Sequence, residues 1–355
     1  VNFLTQGCTT MVTGKCGSGP VDVGKYYRHI DDYGAGTNIA HLIPQGNLRK
    51  HVLDSARVDP NETQLDEMRE LADQGMRDGA WGMSTGLIYV PSSFASTEEI
   101  TEIAKVIAKH GGIYASHIRG VGMNLLESID EAIRIWQDDD CPVHISHFKS
   151  SGRESWGLVR EAARVIAAQR ESGRTVTADQ YPYNASSTSL GATVLPSSAR
   201  EGSGDDLKKR LDEEAARMRE LIADRIAKAD NGQAIRIASY KANPSWVGKD
   251  LAKIAESEAR PIVDIAVEIL QNGGAQVVKF SISEEDVRHV MAIDWVATAS
   301  DGGAKLPGPT KPHPRNYGTF PRKLAYYSLQ EDVIPLEQAV RSMTGLPAEI
   351  LSMLD

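Results

Sequence analysis

The feature that most limits what this chain can fold into is a repeating order of elements. A short β-branched apolar run is followed by a polar loop, an amphipathic helix and then the next apolar run. Seven runs read as strands, at Thr9–Thr13, Thr37–Ile43, Gly79–Met83, Ile113–His117, Val143–His147, Thr175–Asp179 and Trp295–Ser300. Helices are expected over Thr63–Asp78, Ser96–His110, Gly122–Gln137, Gly157–Ser172 and Pro335–Thr344. In the second of these, Ile100, Ala104, Ile107 and Ala108 share one face at helical spacing. Ser96 and Glu99 have the spacing of a capping box. Strands alternating with helices form a parallel sheet with crossover connections, either doubly wound or closed as a barrel. No glycine-rich phosphate loop follows the first strand, which favours the barrel. Seven strands are one short of the eight that close a (β/α)8 barrel, and the eighth is expected ahead of residue 1. Val1–Gly7 reads as a helix stopped by Gly7, and another helix starts near Leu346, so both ends are expected to continue in a longer protein.

This gives an expected layout of barrel strands and helices over 1–195, an insertion over 196–290, and the last strand with its following helices over 291–355. From about Pro196 to Asp286 the chain turns charged, and Asp205–Asp230 runs as one long Lys/Arg/Glu/Ala-rich stretch. A helical insertion over the barrel mouth is expected there, where surface loops commonly shape specificity. The net charge is −9 and the basic residues are scattered, which argues against nucleic acid or an anionic membrane surface as partner. There is no apolar run long enough to span a membrane. Three cysteines do not make a disulfide framework, so the expected compartment is the reducing cytoplasm.

Chemistry-bearing residues recur at strand ends. Cys16 follows the first strand in Gly14-Lys15-Cys16-Gly17, His117 ends Ala115-Ser116-His117, His147 ends Ile145-Ser146-His147, and Asp301 follows the last in Ser300-Asp301-Gly302. In a barrel the C-terminal strand ends converge on one face, so four residues far apart in sequence can meet. One thiolate, two imidazoles and a carboxylate form a zinc set with room for water. A lone cysteine is ordinarily a small buried apolar group, and a lone strand-end histidine commonly satisfies a carbonyl. Two consecutive strands both ending in Ser-His are harder to explain by packing. Period-2 alternation sends His144 to the face opposite His147, and His41, in mid-strand, reads as structural. Zinc lowers the pKa of bound water and polarises a carbonyl. Asp301 either carries the water's proton to a leaving nitrogen or serves as a further ligand, and hydrolysis of a C–N bond is the matching reaction. Lys149, two residues beyond His147, and Arg315, in the loop after the last strand, overhang the same mouth, where a guanidinium can hold a carboxylate by two bonds. Tyr181, Tyr183 and Ser187 follow the strand ending at Asp179.

Taken in order, Gly14–Gly17, Ser84-Thr85-Gly86-Leu87-Ile88-Tyr89-Val90-Pro91, Ser116-His117-Ile118-Arg119, Ile145–Lys149, Tyr181-Pro182-Tyr183 through Thr188, Ser300–Gly302 and His313-Pro314-Arg315 through Phe320 resemble the motifs of D-aminoacylases. The resemblance covers nearly the whole chain. It implies a TIM-like barrel of the metal-dependent hydrolase type, without the first strand and the terminal β-sandwich that the superfamily carries. It also implies a tightly bound zinc on Cys16, His117 and His147, with Asp301 as general base and acid. Lys149, Tyr181, Ser187 and Arg315 fall on the family's substrate-binding positions, and the implied substrate is a small N-acyl-D-amino acid. Two other readings stay open, a related amidohydrolase acting on cyclic amides or D-peptides and a non-catalytic zinc-binding barrel. The chain departs from the family in lacking the His-x-His pair of the first strand and in reading Pro44-Gln45-Gly46 where many members have Gly-His-Gly.

Overall fold

The structure is a computed structural model that describes residues 1–137 and 141–353. Its strands are β1 (Thr10–Thr13), β2 (Asn38–His41), β3 (Ile43–Pro44), β4 (Gly82–Gly86), β5 (Ile113–His117), β6 (Val143–Ile145), β7 (Val176–Gln180), β8 (Ala185–Ser189), β9 (Ile235–Ser239), β10 (Gln276–Phe280) and β11 (Val296–Thr298). Only Leu42 separates β2 from β3. The Leu42 N–H donates to Thr13 O, and His41 O accepts from Trp81 N–H, so the two make one position between β1 and β4. All pairings along β1, β2/β3, β4, β5, β6, β7 and β11 are parallel. Among the described residues these are the seven strand positions expected, in the expected order.

The sheet is strongly curled. Cys16, after β1, and His147, after β6, are four strand spacings apart, about 19 Å in a flat sheet. Their Sγ and Nε2 atoms nevertheless lie 3.6 Å apart. Asn2 closes the same arc, its Nδ2 donating to Gly303 O at 3.1 Å and to Asn316 O at 2.6 Å beyond β11. Between strands and helices lies the main core, with Ile43, Met83, Tyr114, Ile145, Val176 and Val296 packed on Met68, Ile103, Ile107, Leu125, Ile129, Val159 and Ile166. No helix among the described residues is long and apolar enough to cross a membrane.

Several local expectations are corrected. The Val1–Gly7 helix is a single 3-10 turn, Leu4–Gln6, ended by Gly7 at φ 83°. Ser96 caps its helix through a bond from Glu99 N–H, but Glu99 does not close the capping box. Its carboxylate goes to Arg49 and Gln45 instead. The strand expected at Gly79–Met83 begins at Gly82, because Gly79 and Ala80 still bond back to Met76 and Gly75 and finish the preceding helix.

The insertion is not purely helical. It contains a three-stranded antiparallel sheet, ordered β8-β10-β9, that begins at Ala185, ahead of the expected start at 196. The Asp205–Asp230 stretch is two helices, Gly204–Glu213 and Ala215–Ala227, broken where Glu214 leaves helical geometry. A separate core of Leu190, Met218, Ile222, Ile237, Trp246, Ile254, Ile265, Ile269 and Val277 holds sheet and helices together. The missed strands are five residues each, and β8 (Ala-Ser-Ser-Thr-Ser) has no apolar run to announce it.

Gly82 tests the tightness of the main sheet. It sits at φ 149°, and a Cβ there would lie 2.2 Å from Ile113 O on β5. Gly82→Ala is expected to destabilise the fold by about 3 kcal/mol or more, through strain plus overpacking. A thermal midpoint within a degree of wild type would refute this tight β4–β5 packing.

Candidate metal and substrate site

The site is assembled by turns in a backbone conformation that L-residues seldom adopt. Cys16 sits at φ 55° between Gly14 at φ 73° and Gly17 at φ 69°. His147, at φ 42°, stops β6 two residues early, and Asp301 has φ 47°. Strained non-glycine residues of this kind concentrate at functional sites, where the surroundings over-determine them.

These turns bring three donor atoms together. Cys16 Sγ lies 3.4 Å from His117 Nδ1 and 3.6 Å from His147 Nε2, and the two nitrogens are 2.8 Å apart. Among the described residues this is the group of His, Cys, Asp and Glu side chains placed to hold a metal ion. Zinc with bonds of about 2.0 Å to nitrogen and 2.3 Å to sulfur would separate tetrahedral ligand atoms by roughly 3.3–3.6 Å. The two sulfur–nitrogen edges match, and the third is short by about half an ångström. Burial, reinforced by the Asp301 charge, pushes the Cys16 thiol up to about 12. Burial holds both imidazoles well below their ordinary pKa, with Lys149 adding to the effect on each. Imidazoles kept neutral by burial, beside a thiol that a cation would help to ionise, suit a metal ion.

Asp179, at the end of β7, organises the layer beneath. It accepts from His147 N–H at 2.5 Å and His144 Nε2 at 2.9 Å, and pairs with Lys15 Nζ at 3.2 Å. Burial opposes its ionisation, but the Lys15 ammonium and the His144 bond hold its carboxyl well below the usual carboxylate range. His144 therefore faces the barrel interior, not the opposite face. The alternation rule fails because the positive φ of His147 breaks the strand between them. His41 is structural, bonded to Thr13 Oγ1 at 2.9 Å and to Pro20 O at 3.0 Å.

Above the donors lies a second group. Lys149 Nζ is 2.8 Å from His147 Nδ1, donates to His147 O at 2.8 Å and sits 5.4 Å from the Tyr181 ring centroid. Arg315 Nη1 pairs with Asp301 Oδ2 at 2.6 Å, and its guanidinium lies 4.8 Å over the same ring. The Ser187 hydroxyl donates to Val277 O at 2.9 Å within the insertion sheet, while its carbonyl accepts from Arg315 Nη2 at 3.4 Å. Ser187 thus stands at the rim with its hydroxyl already engaged.

Sequence reasoning missed three neighbours. Tyr89 packs edge-on against His117, with ring centroids 5.2 Å apart, and meets Thr188 Oγ1 at 3.1 Å. Asp179 obeys the same strand-end rule that singled out His117. His313 gives Nε2–H to Ala185 O at 2.9 Å and accepts Arg315 N–H at Nδ1, fixing where the Arg315 helix starts.

The chain matches no family model. It is 33% identical over 368 residues to the D-aminoacylase of Alcaligenes xylosoxydans xylosoxydans, spanning 97% of this chain and 68% of that relative. The chain belongs to the D-aminoacylase family. The N-acyl-D-glutamate deacylase of the same organism is 27% identical, over 99% of this chain and 68% of the relative. Among solved structures, a D-aminoacylase described as defining a novel subset of amidohydrolases superposes with a TM-score of 0.80 at 30% identity, covering 99% of this chain and 70% of that one. The N-acyl-D-glutamate deacylase of Bordetella Bronchiseptica, complexed with zinc and a phosphonate mimic of the tetrahedral intermediate, gives 0.81 at 26% identity, with the same coverage. The family barrel is thus the fold of this chain.

His313 yields a pH prediction. It is 1% exposed, and burial, with Arg315 adding to it, lowers its pKa to about 4. Because the folded pKa lies below the unfolded value, its neutral-state stability is full above about pH 6.5 and is lost as pH falls toward 4. Between pH 7 and pH 5 the wild type should lose about 2 kcal/mol more than His313→Gln does, read from urea midpoints. Equal losses in both proteins would show that His313 titrates normally in the fold.

Proposed function

We propose that the chain hydrolyses the amide bond of N-acyl-D-amino acids, releasing a carboxylate and a free D-amino acid, with zinc held by Cys16, His117 and His147. The observation that carries this reading is the convergence of those three donors within 3.6 Å of one another, beneath the Arg315–Asp301 pair. When bound, zinc would polarise the scissile carbonyl and lower the pKa of water. Asp301, held over the donors by its positive φ and by Arg315, takes the proton of the attacking water and delivers it to the leaving nitrogen. Arg315 and Lys149 present two buried cations to the substrate carboxylate, and Tyr181 supports both from below. A carboxylate seated there competes with Asp301 for the guanidinium. Cys8, Cys16 and Cys141 form no disulfide with one another, in keeping with a cytoplasmic enzyme.

Elemental analysis should find about one zinc per chain in the wild type and a large loss in Cys16→Ala. Asp301→Asn should keep its zinc and lose about 10²- to 10⁴-fold in kcat on N-acetyl-D-amino acids. Arg315→Leu should raise KM about 10- to 100-fold for the lost charged contact and change kcat as well, because Asp301 loses its partner. Metal-free wild type, or an Asp301→Asn protein with full turnover, would sink the hydrolytic reading.

A further inference from the structure

Behind the Cys16 turn runs a buried polar chain to which the hydrolytic reading gives no part. Arg49 Nη1 pairs with Glu99 Oε2, and Glu99 Oε1 accepts from Gln45 Nε2 at 3.0 Å. Gln45 Oε1 accepts in turn from Ser92 Oγ at 2.5 Å, and Ser92 Oγ accepts from Gly86 N–H at 3.3 Å. None of these four side-chain residues is more than 3% exposed.

The chain ends on the two backbone segments that grip Cys16. On one side is Gly86, the last residue of β4, where a Cβ would lie 2.1 Å from Cys16 O. On the other is Gly46, next to Gln45, where a Cβ would lie 2.7 Å from Gly17 O. Gly17 itself is wedged between them, its Cβ position 2.8 Å from Gly86 N and 3.2 Å from Gly46 N. The Ser92–Gln45 hydrogen bond therefore ties one side of the grip to the other, and the Glu99–Arg49 pair fixes Gln45 from behind. A buried ion pair is seldom more stable than hydrocarbon of the same volume, and burial raises the Glu99 pKa despite Arg49 beside it. What the arrangement supplies is directional: it sets the width of a slot holding a cysteine in a sparsely populated backbone conformation.

We infer that Arg49, Glu99, Gln45 and Ser92 are positioning residues for Cys16, which set where Sγ stands relative to His117 and His147. The inference rests on the reading of Cys16 as a metal ligand. Supporting groups of this kind commonly change metal affinity by about 10- to 100-fold. Gln45 both donates and accepts, and a neutral imidazole can do both as well, so histidine is the conservative replacement.

The test uses cobalt(II) in place of zinc and reads the thiolate-to-cobalt absorption band together with cobalt affinity. Ser92→Ala and Gln45→Leu are expected to bind cobalt about 10- to 100-fold more weakly, with a diminished or displaced band and an unchanged far-ultraviolet circular dichroism spectrum. Gln45→His should restore both band and affinity. Ser342→Ala removes a comparably buried hydroxyl, bonded to Thr298 and Lys323 behind β11, and should leave the band in place. Should Gln45→Leu fail to fold, Ser92→Ala, the milder change, decides alone. Wild-type band and affinity in Ser92→Ala would overturn the positioning role while leaving the metal site standing. A wild type with no such band, or a band that survives Cys16→Ala, would overturn the metal reading of Cys16 and this inference with it.

Discussion

The reach of Cys16 across the barrel is the constraint on which the site depends. A thiol after β1 and an imidazole after β6 come within 3.6 Å only while the parallel sheet stays curled. Curling brings the strand ends toward one another, and the connections after β1, β6 and β11 turn through left-handed backbone. Cys16, His147 and Asp301 all pass through that region of backbone space, and the glycines at 14, 17, 46 and 86 leave room for the turns to pack backbone against backbone. The cost of holding three non-glycine residues there, of order 1–3 kcal/mol each, is met by the apolar layer between strands and helices.

Charge is arranged in two tiers around that turn. The lower tier is closed: Asp179 gathers Lys15, His144 and the His147 backbone, so both carboxylate oxygens are engaged. The upper tier is open to exchange, because Arg315 has one partly exposed carboxylate partner, Asp301, and an aromatic face beneath it. A closed tier fixes geometry, whereas an exchangeable one can admit an anion. The difference follows from depth, since the Asp179 side chain is 7% exposed while that of Asp301 is 27% exposed.

The barrel and the meeting of its strand-end residues are legible in the sequence because both follow from periodic rules. Apolar runs mark strands, and polar residues where those runs end mark the catalytic face, so Cys16, His117, His147 and Asp301 were legible together. The rules failed where long-range contacts override local ones. His144 was misdirected because alternation assumes an extended strand and His147 breaks it. Glu99 has the spacing of a capping-box partner, yet a buried guanidinium 50 residues away claims its carboxylate. β8 was invisible because Ser and Thr do not announce a strand; it forms because β10 offers it a ladder.

The same distinction bears on how substrate recognition and chemistry are joined. On the proposed reading, the guanidinium that would take the substrate carboxylate already holds the group that would move the proton. Arg315 holds Asp301 through one ion-pair contact, from Nη1 to Oδ2. A substrate that brings its own carboxylate to Arg315 loosens that hold and frees the Asp301 side chain to turn toward the attacking water. An amide without a carboxylate leaves the pair intact. Preference for acylated amino acids over simple amides then arises in the chemical step as well as in binding, from a single contact of 2.6 Å.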